Sequence, residues 1–167
     1  MALEIERRFL VEYKYLYSFS LLEKLALGQA YLSKPGDSSV VRVRFDATNT
    51  LGYVTIKKQV VPGVNEEYEF SIPYEEAYNM VMANKETSIT KLRYIYPLGH
   101  LKFEIDYFDD KSLGGIIIAE IELPSLDYYF DKPSFLGREI TGVKELSNFS
   151  MAFEPEKAKE TFNSLKY

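Results

Sequence analysis

The stretch Gly115-Ile-Ile-Ile-Ala-Glu-Ile-Glu-Leu123 carries two instructions that pull against each other. Ile116, Ile117, Ile118 and Ala119 follow one another without alternation, as in a strand covered on both faces. Glu120 and Glu122, two positions apart, then put two carboxylates on one side of that same strand. Charges on such a strand are rarely fully buried unless a partner or a metal compensates them. The stretch therefore calls for a wall that is apolar on one side and carries compensated charge on the other.

The same device recurs along the chain. Leu3-Glu-Ile-Glu-Arg-Arg-Phe-Leu10 sets Glu4, Glu6 and Arg8 at alternate positions, which alone would read as a solvated strand face. Arg42 and Arg44, Glu67 and Glu69, Lys91 and Arg93, and Glu104 and Asp106 are further pairs two apart, and Lys57 adds a cation after Thr55. If these faces all point inward, they line a hydrated tunnel. The intervening Val, Ile, Leu and Phe then pack outside it.

Turn signals separate the strands that carry the pairs. Strands are predicted at Glu4–Val11, Gln29–Ser33, Val40–Asp46, Tyr53–Gln59, Glu66–Ile72, Ser88–Pro97, Leu101–Phe108 and Gly115–Leu123, with turns such as Lys34-Pro35-Gly36-Asp37 between them. Tyr13–Leu27 has Leu21, Leu22, Leu25 and Ala26 at helix-like spacing, with Gly28 as a stop. Pro73, followed by Glu75 and Glu76, opens a second helix that turns Ala77, Met80 and Val81 to the core. Pro133 to Gly142 reads as a loop with a short strand. Ser147 caps a helical turn over Asn148–Phe153, and Pro155 opens a charged C-terminal helix. Eight strands in a mostly meandering order suggest a closed antiparallel barrel, α+β but mainly β, with flanking helices.

Composition agrees with that class. The 167 residues are enough for one domain, 1–167, and 14 Tyr with 11 Phe suit pleated surfaces. The absence of Cys excludes disulfides and thiolate metal sites and suits a reducing compartment. A net charge of -5 argues against general nucleic-acid binding. No apolar run approaches a membrane span or follows a basic start, so the expected location is soluble and cytoplasmic, with no membrane partner.

Mixed inward charge has a definite chemical use. Carboxylate oxygens are hard ligands for Mg²⁺ or Mn²⁺, while Arg forks and Lys ammonium groups suit phosphate oxygens. Here the motifs resemble a known family. Glu4-Ile-Glu-Arg-Arg8 resembles the ExExK signature of the CYTH superfamily, the triphosphate tunnel metalloenzymes. Gln29-Ala-Tyr-Leu, Arg42-Val-Arg44, Thr55-Ile-Lys57, Glu67-Tyr-Glu69, Lys91-Leu-Arg93, Glu104-Ile-Asp106 and Ala119-Glu-Ile-Glu122 follow in the family's order. Phe135-Leu-Gly-Arg-Glu-Ile-Thr141, Leu146-Ser-Asn148 and Met151-Ala152 resemble the closing pattern of its bacterial triphosphatase-like branch.

The resemblance implies an eight-stranded tunnel barrel, with Glu4, Glu6, Glu120 and Glu122 as metal ligands and Arg8, Arg42, Arg44, Lys57, Lys91 and Arg93 as the triphosphate grip. Glu4, Glu6, Arg8, Lys57, Glu120 and Glu122 would form the catalytic set. Glu67, Glu69, Glu104 and Asp106 would fix the cations, complete the metal shell or help activate water. The implied reaction is hydrolysis of a small-molecule triphosphate, tripolyphosphate before a nucleoside or thiamine triphosphate, by metal-activated water. A class IV-type adenylate cyclase and a non-catalytic polyphosphate- or nucleotide-binding module are the alternatives. Arg8 stands where the signature has Lys, and a planar fork is not a point charge. Asn65 lies where many relatives have an Arg nearby, and Phe135 replaces a Trp.

Other signals carry less. His100, the sole His, sits in a hairpin turn and reads as a surface residue. Gly114-Gly115 lacks the Gly-Lys-Ser/Thr of a phosphate-binding loop and reads as a turn.

Overall fold

The computed structural model describes residues 2–110 and 112–166. Among these described residues nine strands form one sheet: β1 (Ala2–Val11), β2 (Glu23–Tyr31), β3 (Val40–Asp46), β4 (Leu51–Val61), β5 (Val64–Ile72), β6 (Ser88–Leu98), β7 (Leu101–Tyr107), β8 (Ile117–Glu122) and β9 (Leu136–Glu139). Three α-helices accompany them: α1 (Tyr74–Ala83), α2 (Asn148–Phe153) and α3 (Pro155–Leu165). The strand order is β5-β4-β3-β2-β6-β7-β8-β1, and β1 pairs with β5 to close an eight-stranded antiparallel barrel. Closure removes the free edges that an open sheet of this size would expose. β9 lies outside the barrel, paired with the far end of β1.

Two expectations need revision. The helix over Tyr13–Leu27 is instead a 3-10 turn at Tyr13–Phe19 followed by β2 from Glu23. The Leu spacing does fit a helical face, but β2 is held on both sides by β3 and β6, and that pairing overrides local periodicity. Gly28 does not end an element: a Cβ there would lie 2.3 Å from Cζ of Phe45, so glycine lets that ring lie across the strand. The order is mostly meandering, with two breaks: β1 lies beside β5 and β8 rather than β2, and β6 joins β2 rather than β5. α1 spans the second break and packs so closely that a Cβ on Gly52 would stand 2.8 Å from the Ala77 Cβ.

The unalternating run in β8 has a physical account. Ile117, Ala119 and Ile121 join Phe9, Phe19, Phe103, Phe130 and Phe135 in an apolar layer outside the barrel. Ile116 and Ile118 belong to a second cluster, with Leu10, Ile89 and Phe108 from the barrel and Leu146, Met151 and Ala158 from the C-terminal segment. All four residues of the run are fully buried. The C-terminal segment thus packs apolar residues across one end of the barrel, and charges occupy the interior beyond it. Ser147 caps α2 by accepting a hydrogen bond from the Ser150 amide, as its sequence position predicts. Among the described residues no helix is long and apolar enough to cross a membrane.

Candidate active site

The barrel encloses a cavity of about 870 Å³. Of the fourteen candidate site residues, every one except Asp106 lines it. Asp106 is buried against two of the lining cations, and its carboxylate accepts hydrogen bonds from Lys91 Nζ (2.6 Å), Arg93 Nε (2.7 Å) and Arg93 Nη2 (2.9 Å).

Charge around the wall follows strand order. β4, β3 and β6 contribute Lys57, Arg42, Arg44, Lys91 and Arg93, and the neutral β2 lies between β3 and β6. β7, β8, β1 and β5 contribute Glu104, Asp106, Glu120, Glu122, Glu4, Glu6, Glu67 and Glu69, with Arg8 the cation among them. A basic arc therefore faces an acidic arc across the cavity. Ion pairs form mainly where the arcs meet. At β4/β5, Lys57 lies 3.3 Å from Glu67 and also 2.5 Å from Glu4, and Arg42 lies 4.0 Å from Glu69. At β6/β7, Arg93 pairs with Glu104 and Asp106, and Lys91 pairs with Asp106.

The centres of the two arcs are left with excess charge. Burial, and then the neighbouring Arg42 and Arg93, push Arg44 down to about 9. Its Nε donates to the neutral amide oxygen of Gln29 at 3.2 Å. Burial pushes Lys91 down to about 7, because the single Asp106 carboxylate is shared with Arg93 and cannot fully offset desolvation. The buried Nε of Arg42 has no hydrogen-bond partner among the described residues. On the acidic side, burial and then Glu120 push Glu6 up to about 8. Burial also raises Glu4, against the pull of Lys57, and raises Glu122, with Glu4 and Glu104 adding to the effect. One arc is suited to an anion and the other to a cation.

The metal-ligand expectation can be tested on this geometry. Glu6 and Glu122 are direct cross-strand partners, and Arg8 and Glu120 are the next pair on that face, so the four carboxylates come from two adjacent strands. Their hard oxygen donors, and the lack of an ion-pair partner at Glu6 and Glu122 among the described residues, fit a divalent cation, while Lys57 already pairs with Glu4 and Arg8 with Glu120. Among the described residues, however, no three carboxylates converge into a ready-made metal cluster. Metal binding would draw flexible Glu side chains together rather than fill a finished cage.

Arg8 departs most from a simple phosphate grip. Its Nε donates to Glu120 Oε1 at 3.1 Å and its Nη2 to the Leu146 carbonyl at 2.9 Å, so it braces an acidic residue against the C-terminal segment. Sequence reasoning did not give roles to three further participants. Thr55 accepts from Arg42 Nη2 and donates to Glu69 Oε2, linking the two arcs. Asn148 Oδ1 accepts from Lys91 Nζ at 3.1 Å. The Leu146 carbonyl, as above, holds Arg8. Thr55 shares its face with Lys57 by period two and could have been found that way. His100 is exposed, with its ring 3.4 Å from the Tyr128 hydroxyl.

Comparison with known proteins places this architecture. The chain is 35% identical over 161 residues, 94% of its own length and 97% of the relative's, to an inorganic triphosphatase of Acetivibrio thermocellus. It is similar to the crystal structure of another inorganic triphosphatase at 30% identity and a TM-score of 0.65, with 92% of this chain and 97% of that chain covered. A Hippeastrum protein described as an adenylyl cyclase with a dominant triphosphatase activity shares the fold at 16% identity and a TM-score of 0.56, over 73% of this chain and 80% of that one. A model of the CYTH domain matches residues 2–152, and the chain belongs to that family.

Proposed function

We propose that this protein hydrolyses a linear triphosphate, with inorganic tripolyphosphate as the preferred substrate, in a single cytoplasmic domain. The observation that carries the reading is the pair of opposed charge arcs around one enclosed cavity. A triphosphate supplies the anion that Arg44 lacks among the described residues and adds acceptors for the already paired Arg42, Lys91 and Arg93, while its metal counter-ion supplies the cation that Glu6 and Glu122 lack, with Glu4 and Glu120 beside them. Similarity over nearly the whole chain to a protein named an inorganic triphosphatase supports the substrate class.

In this reading the protein mainly positions its substrate and stabilises spreading charge. Arg93, fixed by Glu104 and Asp106, and Lys91, fixed by Asp106 and Asn148, offer donors that need little reorganisation to meet phosphate oxygens. Arg42 and Arg44 grip from β3. Lys57, between Glu4 and Glu67, holds the boundary between the phosphate side and the carboxylate side. Mg²⁺ or Mn²⁺ held by Glu4, Glu6, Glu120 and Glu122 would neutralise charge on the phosphoryl group and activate the attacking water. Glu67 and Glu69 keep Lys57 and Arg42 in place, and Arg8 orients Glu120. In the overall reaction the water oxygen bonds to the terminal phosphorus, the bridging P–O bond breaks, and orthophosphate and pyrophosphate leave.

The test is phosphate release by purified protein from tripolyphosphate, ATP and thiamine triphosphate, each with Mg²⁺ and with Mn²⁺. No release from any of them would overturn the proposal. Cyclic AMP with pyrophosphate from ATP would instead establish the cyclase reaction.

A further inference from the structure

Barrel closure stops short along one seam. β1 pairs with β5 only as far as Ala2 opposite Glu67, whereas β5 runs on to Ile72 beside β4. Among the described residues, Tyr68 to Ile72 therefore have a strand on one side only, and Tyr68, Glu69, Phe70 and Ser71 are exposed in succession. Which backbone groups face the gap follows from the ladder. The Glu6 amide donates to the Gly63 carbonyl at 2.9 Å, so antiparallel alternation turns the groups of Asn65 and Glu67, and then of Glu69 and Ser71, to that same side. The outer face of this free edge is apolar, with Phe70 55% exposed and Tyr68 43% exposed. A strand edge that carries exposed aromatic side chains is a template for another strand.

We propose that a second copy of this chain fills the gap, through antiparallel pairing of the two β5 edges about a two-fold axis at Phe70. Charge and register select this arrangement. Centred on Phe70, Glu69 lies opposite the partner's Ser71 and Tyr68 opposite the partner's Ile72, so all five free residues pair and no β1 contact is lost. The edge-facing groups of Glu69 then meet those of the partner's Ser71, on both sides of the axis. A centre at Glu69 would set two carboxylates against each other and draw Glu67 away from Ala2. A centre at Ser71 would set Pro73, which has no amide hydrogen, opposite Glu69. The incoming strand has to end where Ala2 takes over the ladder, and it does, because α1 begins directly after Pro73. Phe70 meets its own copy across the axis as a close aromatic pair. Such an interface is isologous, so it consumes both free edges and closes as a dimer instead of growing into a fibre.

The test is sedimentation of the full chain, joined to cross-linking. At about 100 μM, above the micromolar constants of the weaker protein interfaces, wild type should sediment as a dimer that dissociates on dilution. Ser71→Pro removes an amide that only the partner uses and leaves the β4 ladder intact, so the dimer dissociation constant should rise at least about tenfold with circular dichroism unchanged. Phe70→Lys changes an exposed side chain and sets like charges across the axis, and it should weaken the dimer in the same way. Register is read with cysteines, which the chain otherwise lacks. Phe70→Cys should form an intermolecular disulfide under mild oxidation because its copy lies directly opposite, and Tyr68→Cys should do so only when combined with Ile72→Cys. A dimer that survives both Ser71→Pro and Phe70→Lys, or Tyr68→Cys cross-linking alone as readily as Phe70→Cys, overturns the proposal. A wild type that stays monomeric at this concentration also overturns it, and would leave the edge to a strand of another protein.

Discussion

Asp106→Asn tests how the basic arc is held in place. The Asp106 carboxylate is 1% exposed and accepts three hydrogen bonds from two cations, at 2.6, 2.7 and 2.9 Å. Asn keeps one acceptor oxygen, presents an NH2 group where a cation donates, and leaves Arg93 with Glu104 alone and Lys91 with the neutral Asn148 oxygen. Hydrogen bonds to charged groups contribute about 1.5–3 kcal/mol each, and removing one partner of a buried ion pair costs about 3–5 kcal/mol, so the expected loss is about 3–5 kcal/mol. For a domain of this size that corresponds to a Tm lower by roughly 6–20 °C. Burial opposes ionisation of Asp106, but Arg93 and Lys91 outweigh it and hold the carboxyl well below the usual range. A depressed carboxyl stabilises the fold above its unfolded value of 3.8 and loses that contribution as pH falls through the folded value. The gap between wild type and variant should therefore be full at pH 7 and narrow only in strong acid. Urea unfolding at pH 7, pH 4 and about pH 2, with Lys91→Met as the second arm of a double-mutant cycle, measures both. A loss below about 1 kcal/mol at pH 7, or no coupling to Lys91, would refute the account of Asp106 as the counter-ion of the arc.

Lys91 gives the opposite pH signature. With its folded value pushed down to about 7 from 10.5, the unfolded chain binds more protons between those values, so its burial cost is full below pH 7 and lifts as pH rises. Wild type should gain stability relative to Lys91→Met from pH 6 to pH 10, and a flat difference in urea unfolding would contradict this. Glu120→Gln should lower metal-dependent kcat by about 10²–10³, whereas Arg44→Ala should act chiefly on KM for tripolyphosphate. Near-normal kinetics in both would sink the tunnel assignment. Gly28→Ala places a methyl group 2.3 Å from Phe45 Cζ and should cost about 1–3 kcal/mol in chemical denaturation, with Phe45→Leu recovering part of the loss.

What could be read from the sequence was whatever local spacing encodes. Period-two charge pairs put each strand's functional groups on one face, and the unalternating Ile116–Ala119 run decided which way that face pointed, because only a wall packed on its other side needs such a run. Contacts that close across the chain left no local trace. Lys91 meets Asn148 57 positions later, and Arg8 meets the Leu146 carbonyl 138 positions away. The misread helix over Tyr13–Leu27 has the same cause: β2 is a strand because β3 and β6 pair with it, and β6 begins more than fifty residues later in the chain. β2 carries no charge pair facing the tunnel, so only the Gln29-Ala-Tyr-Leu match marked this strand of the basic arc.

The arrangement of the two arcs has a thermodynamic consequence beyond the positions of single residues. Charges of opposite sign distributed evenly around a barrel would neutralise one another and leave little net field for a ligand. Here pairing is concentrated at the arc boundaries, and away from them burial penalises Arg44 on one side and Glu6 on the other, as it does Lys91 at the β6/β7 boundary. A triphosphate alone relieves the basic arc but brings its negative charge towards the carboxylates. A divalent cation alone relieves the carboxylates but faces the guanidinium groups. Each ligand removes the repulsion that opposes the other, so their binding is positively coupled, and linkage requires the same coupling factor in both directions. Typical coupling of 1–3 kcal/mol corresponds to about 5–150-fold. Tripolyphosphate affinity measured at fixed free Mg²⁺, with correction for the complex formed in solution, should rise by such a factor over its value in EDTA. At about pH 9, above the Glu6 value of about 8, Glu6→Gln removes one charge from the acidic arc and should tighten metal-free tripolyphosphate binding and shrink the effect of Mg²⁺ together. Independent binding of the two ligands, or an unchanged metal-free affinity in Glu6→Gln, would show that the opposed arcs do not act as one site.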